Sequence, residues 1–420
     1  MKHKLDFYKS NFSTDTIYCN TAFEYFLKKN NYQKGKNDYY FLKRNSKLFW
    51  IKKCLNLIFQ VKFRWSNPPQ KKIIIFDHYS ETLFKWLFEK NQIYELRTRA
   101  DAFNEMFLSP SIILLMIKNF LKFPIKLNYL IAVITVSNPK LVISSVENSK
   151  DFSVTSEYFK KKIHCILFKN TGSKGKGFFF QKIFCFGNKV ENYNKYKRFG
   201  NVNIIPPIQS LYIKSIKKKI MKKKNNFQIC LIDKNMPKAN LPNQQITYDD
   251  MKREEDYFLL LKHLNKLCSK HKFKIVIAIK SKDKLDINYR LFNFKKYLKD
   301  TNYSIVTRKQ SMHSSYQAII NSDIVIGCDS SILNHSLLLD KKVILFKRLS
   351  KNKTFFLGNN FARIKTDKFS KFEKIFLKIK TIKKNVFFTK TQCKKYRDFN
   401  ENFNLQLFKT NLKRQFINEK

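Results

Sequence analysis

Short runs that are apolar at every position are the feature that most limits how this chain can fold. Ile73–Phe76 is such a run, and Phe227–Ile232 is apolar at every position but Gln228; each opens a series in which further runs alternate with helical or polar stretches. A strand that is apolar throughout must be buried on both faces, as strands are in a parallel sheet covered by helices. The sequence therefore predicts an α/β fold with parallel sheets.

Two separate series of these runs predict two Rossmann-like lobes, each built on a doubly wound sheet. A chain of 420 residues is long enough for two domains with additions. The predicted strands of the first lobe are Ile73–Phe76, Tyr94–Arg97, Leu141–Ser144, Ile163–Phe168 and Ile183–Phe186. Those of the second lobe are Phe227–Ile232, Lys274–Ile279, Tyr303–Thr307, Asp323–Gly327 and Val343–Phe346.

Changes in composition divide the chain into five predicted segments. Residues 1–70 show little periodicity and form an accessory N-terminal segment, and residues 71–205 form the N-terminal α/β lobe. Two prolines followed by a lysine-rich run predict an exposed interlobe linker at residues 206–226. The C-terminal α/β lobe then covers residues 227–370, and a basic, helical tail covers residues 371–420.

The net charge of +53, from 84 Lys and Arg against 31 Asp and Glu, permits binding to nucleic acid or to an anionic membrane. The excess is mostly lysine spread along the whole chain, and it accompanies many Asn, Ile, Phe and Tyr residues. Compositional drift of the exposed surface would produce the same pattern. Because no RRM, KH, zinc-finger or helix-turn-helix pattern is recognisable, we expect no specific nucleic-acid partner.

Cysteine spacing and hydrophobic segments predict a cytoplasmic protein. The eight cysteines are scattered without the spacing of a zinc site, which favours buried, reduced thiols. Residues 1–20 lack the apolar core of a secretory signal. Lysines and a proline interrupt the most apolar stretch, Leu108–Val136, before it reaches the length that spans a bilayer. We expect that stretch to form helices packed in a lobe.

One stretch of the second lobe, Ser322–Phe346, combines the features of a phosphate-binding turn. Its sequence, SDIVIGCDSSILNHSLLLDKKVILF, indicates a strand ending at Gly327, a polar turn, a helix that Ser330 or Ser331 can cap, and another strand. A helix N-terminus offers unpaired N–H groups and partial positive charge, and small hydroxyl residues let a phosphate approach closely. The stretch indicates a diphosphate site, although a plain strand–helix–strand unit with a serine cap would look the same.

The same stretch resembles the strand, serine turn, helix and lysine-bearing strand of GT-B glycosyltransferases. It resembles more closely the O-antigen biosynthesis proteins of bacteria, whose pattern there is similar to NSTLGYEALARGKKV. In that register the two serines of the turn, Ser330 and Ser331, match the family's serines, and Lys341 and Lys342 match its lysines. The resemblance extends more loosely over residues 72–370, beginning with KIIIFDHYSETL at Lys72–Leu83.

The resemblance implies that the second lobe binds a nucleotide-sugar as co-substrate, with no other cofactor and no metal. Ser330 and Ser331 would hold the diphosphate. His335 stands where the family has a glutamate that is expected to meet the ribose, and Asp340 stands where it has glycine. Lys280, which follows the strand Lys274–Ile279, would add a cation, unless it is one more surface lysine. The lack of a short DxD motif likewise favours a route in which helix N-termini and cations neutralise the leaving diphosphate.

A general base for the acceptor hydroxyl is expected from the first lobe. His78, Glu81 and Glu147 all come just after predicted strands, where the site residues of α/β sheets gather. Glu147 is preferred because the family resemblance also implies an acidic residue there, and His78 is the second candidate. A structural role is the alternative for each of them.

These features together predict a glycosyltransferase that moves a sugar from a nucleotide-sugar donor to a surface polysaccharide or lipid-linked glycan acceptor. A lipid-linked acceptor implies peripheral contact with the anionic inner face of the plasma membrane, to which basic side chains are attracted. Two alternatives stay open. The departures at His335 and Asp340 would fit a catalytically impaired GT-B relative, and the net charge would fit a basic nucleic-acid-binding protein.

Overall fold

The computed structural model describes residues 32–35, 39–42, 61–77, 81–98, 105–146, 149–169, 178–185, 197–220, 227–233, 245–279, 284–307, 314–328, 330–348 and 361–417. The strands are β1 Tyr32–Gly35, β2 Tyr39–Leu42, β3 Lys62–Arg64, β4 Ile73–Phe76, β5 Ile93–Leu96, β6 Glu105–Phe107, β7 Leu141–Ser144, β8 His164–Lys169, β9 Phe178–Cys185, β10 Lys197–Ile204, β11 Phe227–Ile232, β12 Gln245–Thr247, β13 Ile275–Ile279, β14 Tyr303–Thr307, β15 Ser322–Gly327, β16 Lys342–Phe346 and β17 Arg363–Ile364.

The helices alternate with these strands, and the last four follow one another after β17. They are α1 Glu81–Leu87, α2 Pro110–Lys118, α3 Ile125–Ser137, α4 Lys150–Tyr158, α5 Ile208–Ile220, α6 Tyr248–His271, α7 Lys284–Tyr297, α8 Ser314–Ile320, α9 Ser331–Leu338, α10 Phe369–Thr381, α11 Lys384–Lys390, α12 Lys394–Asn402 and α13 Leu405–Phe416.

The chain divides into two compact units, each with its own parallel sheet. We call the unit of Lys47–Tyr212 and Phe399–Lys420 the N-lobe, and the unit of Met1–Ser46 and Ile213–Asp398 the C-lobe. Two of the three boundaries between these units fall inside helices α5 and α12. The fold class predicted from the sequence, α/β with two Rossmann-like lobes, is therefore confirmed.

The N-lobe sheet has six parallel strands in the order β5-β4-β7-β8-β9-β10. Strand β4, the first of these in the chain, is fully buried and pairs on one side with β5 and on the other with β7, where Ile73 lies opposite Leu141. The chain order 2-1-3-4-5-6 therefore reverses direction between β4 and β7. In doubly wound sheets ligands bind beyond the carboxyl ends of the strands at such a reversal.

The C-lobe sheet has six parallel strands in the order β14-β13-β11-β15-β16-β17, which is 3-2-1-4-5-6 in chain order. This is the strand order of dinucleotide-binding Rossmann domains. Strand β11 lies at the centre, with Ile229 opposite Ile275 of β13 and Ile324 of β15. The reversal of direction falls between β11 and β15, and β15 is the strand that leads into the predicted phosphate-binding turn.

A small antiparallel sheet lies in the C-lobe, in the order β1-β2-β12. Tyr40 of β2 lies opposite Ile246 of β12. Part of the predicted accessory segment therefore pairs with the lobe that also carries the predicted donor site. The sequence showed no strand pattern there, because these strands are only three or four residues long.

Part of the segment predicted as an exposed linker is a packed helix. Pro206 and Pro207 precede α5, in which Ile208, Leu211 and Ile213 are buried, so the first half of the predicted 206–226 linker is a packed helix that crosses from one unit to the other. A proline pair fits this position because proline is tolerated just before a helix and in its first turn.

The predicted basic tail, residues 371–420, is helical as expected, and its apolar faces are buried. Helix α10 buries Phe372 and Phe376 in the C-lobe. Helix α13 belongs to the N-lobe, where Phe416 meets the ring of His164 at 5.0 Å and Lys409 Nζ donates to the carbonyl of Trp86 at 3.1 Å.

Candidate functional site

The carboxyl edge of the C-lobe sheet carries the strand end, turn and helix that the sequence predicted. Strand β15 ends at Gly327, where a Cβ atom would lie 3.2 Å from the carbonyl oxygen of Ile232 and 3.2 Å from Leu333 Cδ1. The end of β11 and helix α9 therefore approach this position too closely for a side chain to fit without a shift. A glycine allows the central strand, the turn and the helix to pack tightly at the point where the sheet reverses direction.

Helix α9 begins just after this turn, and the carbonyl of its capping residue, Ser330, accepts a hydrogen bond from the Leu333 N–H at 3.1 Å. Ser330 is the N-cap, with extended backbone angles of φ −159° and ψ 137°, and its side chain makes no capping hydrogen bond. N-terminal N–H groups that are not bonded by a cap can bind water or an anionic ligand. The diphosphate site predicted at this turn stays a prediction. Ser331 is the first helical residue, and its side chain lies outside the described atoms.

His335 lies one turn further along α9 and is already engaged by a neighbouring helix. Its Nδ1 atom is 2.8 Å from the hydroxyl oxygen of Tyr316 on α8, and the two rings are nearly parallel. The side chain is only 5% exposed. Tyr316 therefore fixes the imidazole orientation, and a ribose contact requires His335 to meet the ligand through the small surface that remains. The predicted donor role of His335 stays a prediction.

Asp340, the second departure from the family pattern, has a backbone explanation. It follows the C-cap of α9 with φ 61°, and the N–H groups of Asp340 and Lys341 bond to the carbonyls of Leu337 and Ser336 at 3.1 Å and 3.0 Å. These are the two hydrogen bonds of a Schellman motif, which places a left-handed residue, most often glycine, at this position. Asp340 therefore differs from the family's glycine at a position that ends a helix, and this difference is no evidence against donor binding.

The two lysines matched to the family's lysine pair stabilise helix C-termini. Lys341 Nζ donates to the carbonyls of Ile320 and Ser322 at 2.6 Å and 2.8 Å. Lys342 Nζ donates to three carbonyls at the end of α10, those of residues 379, 380 and 382, at 3.0, 2.7 and 2.5 Å. Burial lowers the pKa of Lys342. Positive groups are favourable at helix C-termini, which carry partial negative charge.

A buried charged cluster at the same edge was missed by the sequence reasoning. Asp233 directly follows β11, and its carboxylate accepts a hydrogen bond from the Tyr257 hydroxyl at 2.5 Å and lies 3.4 Å from Arg290 Nε. All three side chains are at most 2% exposed. Burial, followed by the charge of Asp233, raises the pKa of Tyr257 far above its usual value, so the hydroxyl remains a donor.

This cluster ties the end of the central strand to α6 and α7. The signal that could have found it is the one used for Lys280 and His78, namely a polar residue immediately after an apolar strand. Its partners could not be read from the sequence, because Tyr257 lies within the apolar stripe of α6 and Arg290 within a helix of mixed composition.

The N-lobe edge presents a strained residue beside the predicted catalytic positions. Asp77 follows β4 with φ 81°, is 5% exposed and donates its N–H to the carbonyl of Leu96 at 3.0 Å. A non-glycine residue with positive φ is uncommon and occurs more often at functional sites than elsewhere. His78 is the next residue, and Glu147 comes shortly after β7, the strand paired with β4.

Both predicted catalytic residues therefore follow the two strands that flank the reversal in the N-lobe sheet. His78, Glu147 and Lys280 themselves lie outside the described residues, as does the side chain of Glu81, and their roles stay predictions. Among the residues that the structure describes, no group of three or more His, Cys, Asp or Glu side chains could hold a metal ion.

The buried cysteines agree with the sequence interpretation as far as the structure describes them. Cys165, Cys230, Cys268, Cys328 and Cys393 are buried and not in disulfides. Burial raises the pKa of the thiol of Cys268 to about 12 and that of Cys393 to about 11. Thiols in such surroundings are unreactive, so they serve packing.

Two Rossmann-like lobes in one chain define the GT-B class of fold, and the candidate sites lie at the sheet reversals of the two lobes. Within that class, the chain belongs to the family described as "putative O-antigen biosynthesis protein", whose model matches residues 146–362. The resemblance inferred from the motif at Ser322–Phe346 is thereby confirmed. The match includes β15, α9 and the turn between them, and it connects the chain with glycan biosynthesis.

Several solved structures have a similar architecture at low sequence identity. UDP-GlcNAc 2-epimerase from Neisseria meningitidis bound to UDP-GlcNAc is 12% identical, with 81% of this chain and 99% of that one covered and a TM-score of 0.44. S. aureus MnaA with UDP is 11% identical, with 83% of this chain and 98% of that one covered and a TM-score of 0.49. A UDP-glucosyltransferase from Polygonum tinctorium is 7% identical, with 84% of this chain and 100% of that one covered and a TM-score of 0.44. Likeness at this level carries no argument about substrate. No curated protein matches the sequence.

Within the described parts of the chain, the helices that are long enough to cross a bilayer are too polar to do so.

Proposed function

We propose that this protein is a glycosyltransferase that moves a sugar from a nucleotide-sugar donor to a surface polysaccharide or lipid-linked glycan. The observation that carries the proposal is the N-terminus of α9, where the Ser330 side chain makes no capping hydrogen bond, at the sheet reversal of the C-lobe and within the part of the chain that the O-antigen family model matches. A diphosphate needs such donors, and the strand order of the lobe is the one that binds nucleotides elsewhere.

On the donor side, the first N–H groups of α9 would bind the diphosphate while Ser330 and Ser331 leave room for it. Their hydrogen bonds strengthen as negative charge builds up on the departing nucleoside diphosphate, which lowers the barrier to transfer. Lys280 would add positive charge from the end of β13. The buried ion pair of Asp233 and Arg290 would hold the end of β11 in place next to this site.

On the acceptor side, the N-lobe would supply the general base. Glu147 or His78 would remove the proton of an acceptor hydroxyl, whose oxygen then attacks the anomeric carbon of the sugar as the bond to the diphosphate breaks. The products are the glycosylated acceptor and a nucleoside diphosphate. A lipid-linked acceptor would bring the protein to the cytoplasmic face of an anionic membrane.

A second candidate is a relative that binds nucleotides without transferring sugar, and His335 favours it. An imidazole bonded to Tyr316 cannot offer the two oxygens of the family's glutamate. Asp340 no longer supports this alternative, because it occupies a helix end. The two candidates differ in transfer and agree in nucleotide binding.

The first experiment is a thermal-shift screen against UDP, GDP, CDP and their sugars, followed by calorimetry. A ligand present at about 100 times its dissociation constant stabilises by about 2.7 kcal/mol, which is easily measured. Ser331→Tyr should abolish binding without unfolding the protein, because the bulky ring fills the space for the phosphate. Ser111→Tyr is the matched control, since Ser111 is exposed in the first turn of α2. Equal affinity of both variants and the wild type would remove the phosphate site from this turn.

A further inference from the structure

An unusual surface of the N-lobe is an apolar patch on α2, the turn that joins it to α3 and the first residue of α3. It consists of Ile113, Leu114, Ile117, Phe120, Leu121 and Ile125, and we call it the α2–α3 patch. The five residues other than Ile113 are each about two-thirds exposed or more, and Leu121 is 94% exposed. Single exposed leucines are ordinary, whereas six large apolar side chains along one helix and its turn mark a binding surface.

Helix α2 is apolar on both faces, although only one face packs against the lobe. Ile112 is buried, and Leu115 and Met116 pack against the N-lobe core, which includes α3. Leu114 and Ile117 point to the solvent at positions where a surface helix normally carries polar residues. The sequence interpretation of Leu108–Val136 as packed helices therefore holds for α3 and fails for the outer face of α2.

The backbone that carries the patch is held by hydrogen bonds. Ser109 caps α2, and Asn128 Nδ2 on α3 donates to the carbonyl of Met116 at 2.7 Å. The turn is closed by backbone hydrogen bonds from Phe120 to Ile117 and from Lys122 to Asn119, at 3.1 Å and 2.9 Å. The exposed side chains are therefore presented on a fixed backbone.

The charges around the patch identify what it binds. Lys118 and Lys122 are exposed within the same turn, and the exposed run Lys160–Lys162 follows Tyr158, whose ring contacts Phe123 at 5.6 Å. Lys126 is also exposed, and its ammonium pairs with Asp151 at 2.7 Å. Apolar side chains flanked by lysines match a bilayer with anionic headgroups, in which the apolar groups enter the acyl boundary and the ammonium groups meet phosphates.

We propose that the α2–α3 patch inserts into the surface of an anionic phospholipid bilayer and anchors the N-lobe there. This names the surface for the membrane contact of the proposed function and rests on that function for its purpose. Binding itself requires neither donor nor acceptor, so it can be measured when transfer is absent. A second copy of this chain covering the patch is the competing occupant.

The test uses vesicles of phosphatidylcholine with and without phosphatidylglycerol. Wild type should co-sediment with the anionic vesicles, and the double variant Ile117→Ser, Leu121→Ser should bind about 100-fold more weakly, at about tenfold for each lost side chain. Leu407→Ser is the matched control, because Leu407 is 55% exposed on α13 of the same lobe. It should bind within about twofold of wild type, given that it lies away from the inserted surface.

Two further measurements make the outcome decisive. Relative to wild type, whose three tryptophans give the background, the fluorescence added by Leu121→Trp should be quenched by brominated lipids in anionic vesicles, whereas that added by Leu407→Trp should not. Unchanged vesicle binding by the double variant, or no binding by wild type, would overturn the proposal. A wild-type dimer that the double variant dissociates, without loss of vesicle binding, would assign the patch to a second copy. Nucleotide affinity measured on the same variants should be unchanged, which separates this proposal from that of the donor site.

Discussion

Removing Arg290 should destabilise the C-lobe far more than removing an exposed lysine. At 3.4 Å between Arg290 Nε and Asp233 Oδ2, Coulomb's law with an effective dielectric constant of about 20 gives an attraction of about 5 kcal/mol. Removing one partner of a buried pair usually costs about 3–5 kcal/mol, because the remaining charge stays buried without it. We expect a loss of about 3–5 kcal/mol for Arg290→Met.

The double variant Asp233→Asn, Arg290→Met separates loss of the pair from loss of packing. With both charges gone and the Tyr257 hydroxyl still able to donate to the amide oxygen, it should recover most of the stability. Lys384→Met, which removes an exposed partner of Asp340 at 2.8 Å, serves as the control and should cost less than about 1 kcal/mol.

Hydrogen exchange of peptides from β11 and α7 is the suitable assay for this prediction. The three tryptophans, Trp50, Trp65 and Trp86, all belong to the N-lobe, so intrinsic fluorescence would report the wrong unit. Exchange in the two peptides should become faster in Arg290→Met and return towards wild type in the double variant. A cost below about 1 kcal/mol for Arg290→Met, or a double variant less stable than either single one, would refute the reasoning.

Three further predictions concern the C-lobe. Lys342→Met should cost about 1–3 kcal/mol in urea unfolding, because three carbonyls at the end of α10 lose their ammonium partner; an unchanged midpoint would contradict this. Burial lowers the pKa of His263 below its usual 6.5. As the pH drops through 6.5, the unfolded chain therefore binds a proton before the folded one does, and the free energy of unfolding falls. His263→Phe should reduce this loss of stability, and an equal dependence of the unfolding free energy on pH in both proteins would contradict the prediction. Asp340→Gly should leave nucleotide affinity unchanged and stability within about 1 kcal/mol, since glycine suits φ 61° and the ion pairs lost are the exposed one with Lys384 and a long one of 3.8 Å with Arg397. A clear change in affinity by calorimetry would show that Asp340 takes part in nucleotide binding.

The central strands were predictable because burial on both faces leaves an unmistakable apolar run. Ile73–Phe76, Leu141–Ser144 and Phe227–Ile232, which lie inside the sheets, have the bounds that the sequence predicted, and so does the partly exposed edge strand Tyr303–Thr307. Strand β10 was missed because its sequence, KRFGNVNI, is largely polar, as edge strands tolerate. Strand β9 begins five residues earlier than predicted, at Phe178 instead of Ile183.

The position of the candidate site in the fold was predictable from the sequence, whereas the side-chain contacts within it were less so. A glycine at the end of β15 and serines at the start of α9 follow from the order of residues along the chain. The contacts of His335 with Tyr316 and of Asp233 with Tyr257 and Arg290 depend on how helices pack, which local periodicity does not encode. The packing of α13 on the N-lobe is a long-range contact of the same kind.

The most direct test of the central claim is the release of nucleoside diphosphate from a nucleotide-sugar that stabilises the protein. The reaction is run with and without lipid-linked glycan acceptors extracted from bacterial membranes, and the acceptor is then examined for an added sugar by mass spectrometry. We predict release that depends on the acceptor, equals the sugar transferred and falls at least about 100-fold in Glu147→Gln, as expected when a general base is lost. Bound nucleotide-sugar with no transfer to any acceptor fraction, in wild type as in Glu147→Gln, would contradict the claim and leave a protein that binds the donor without using it.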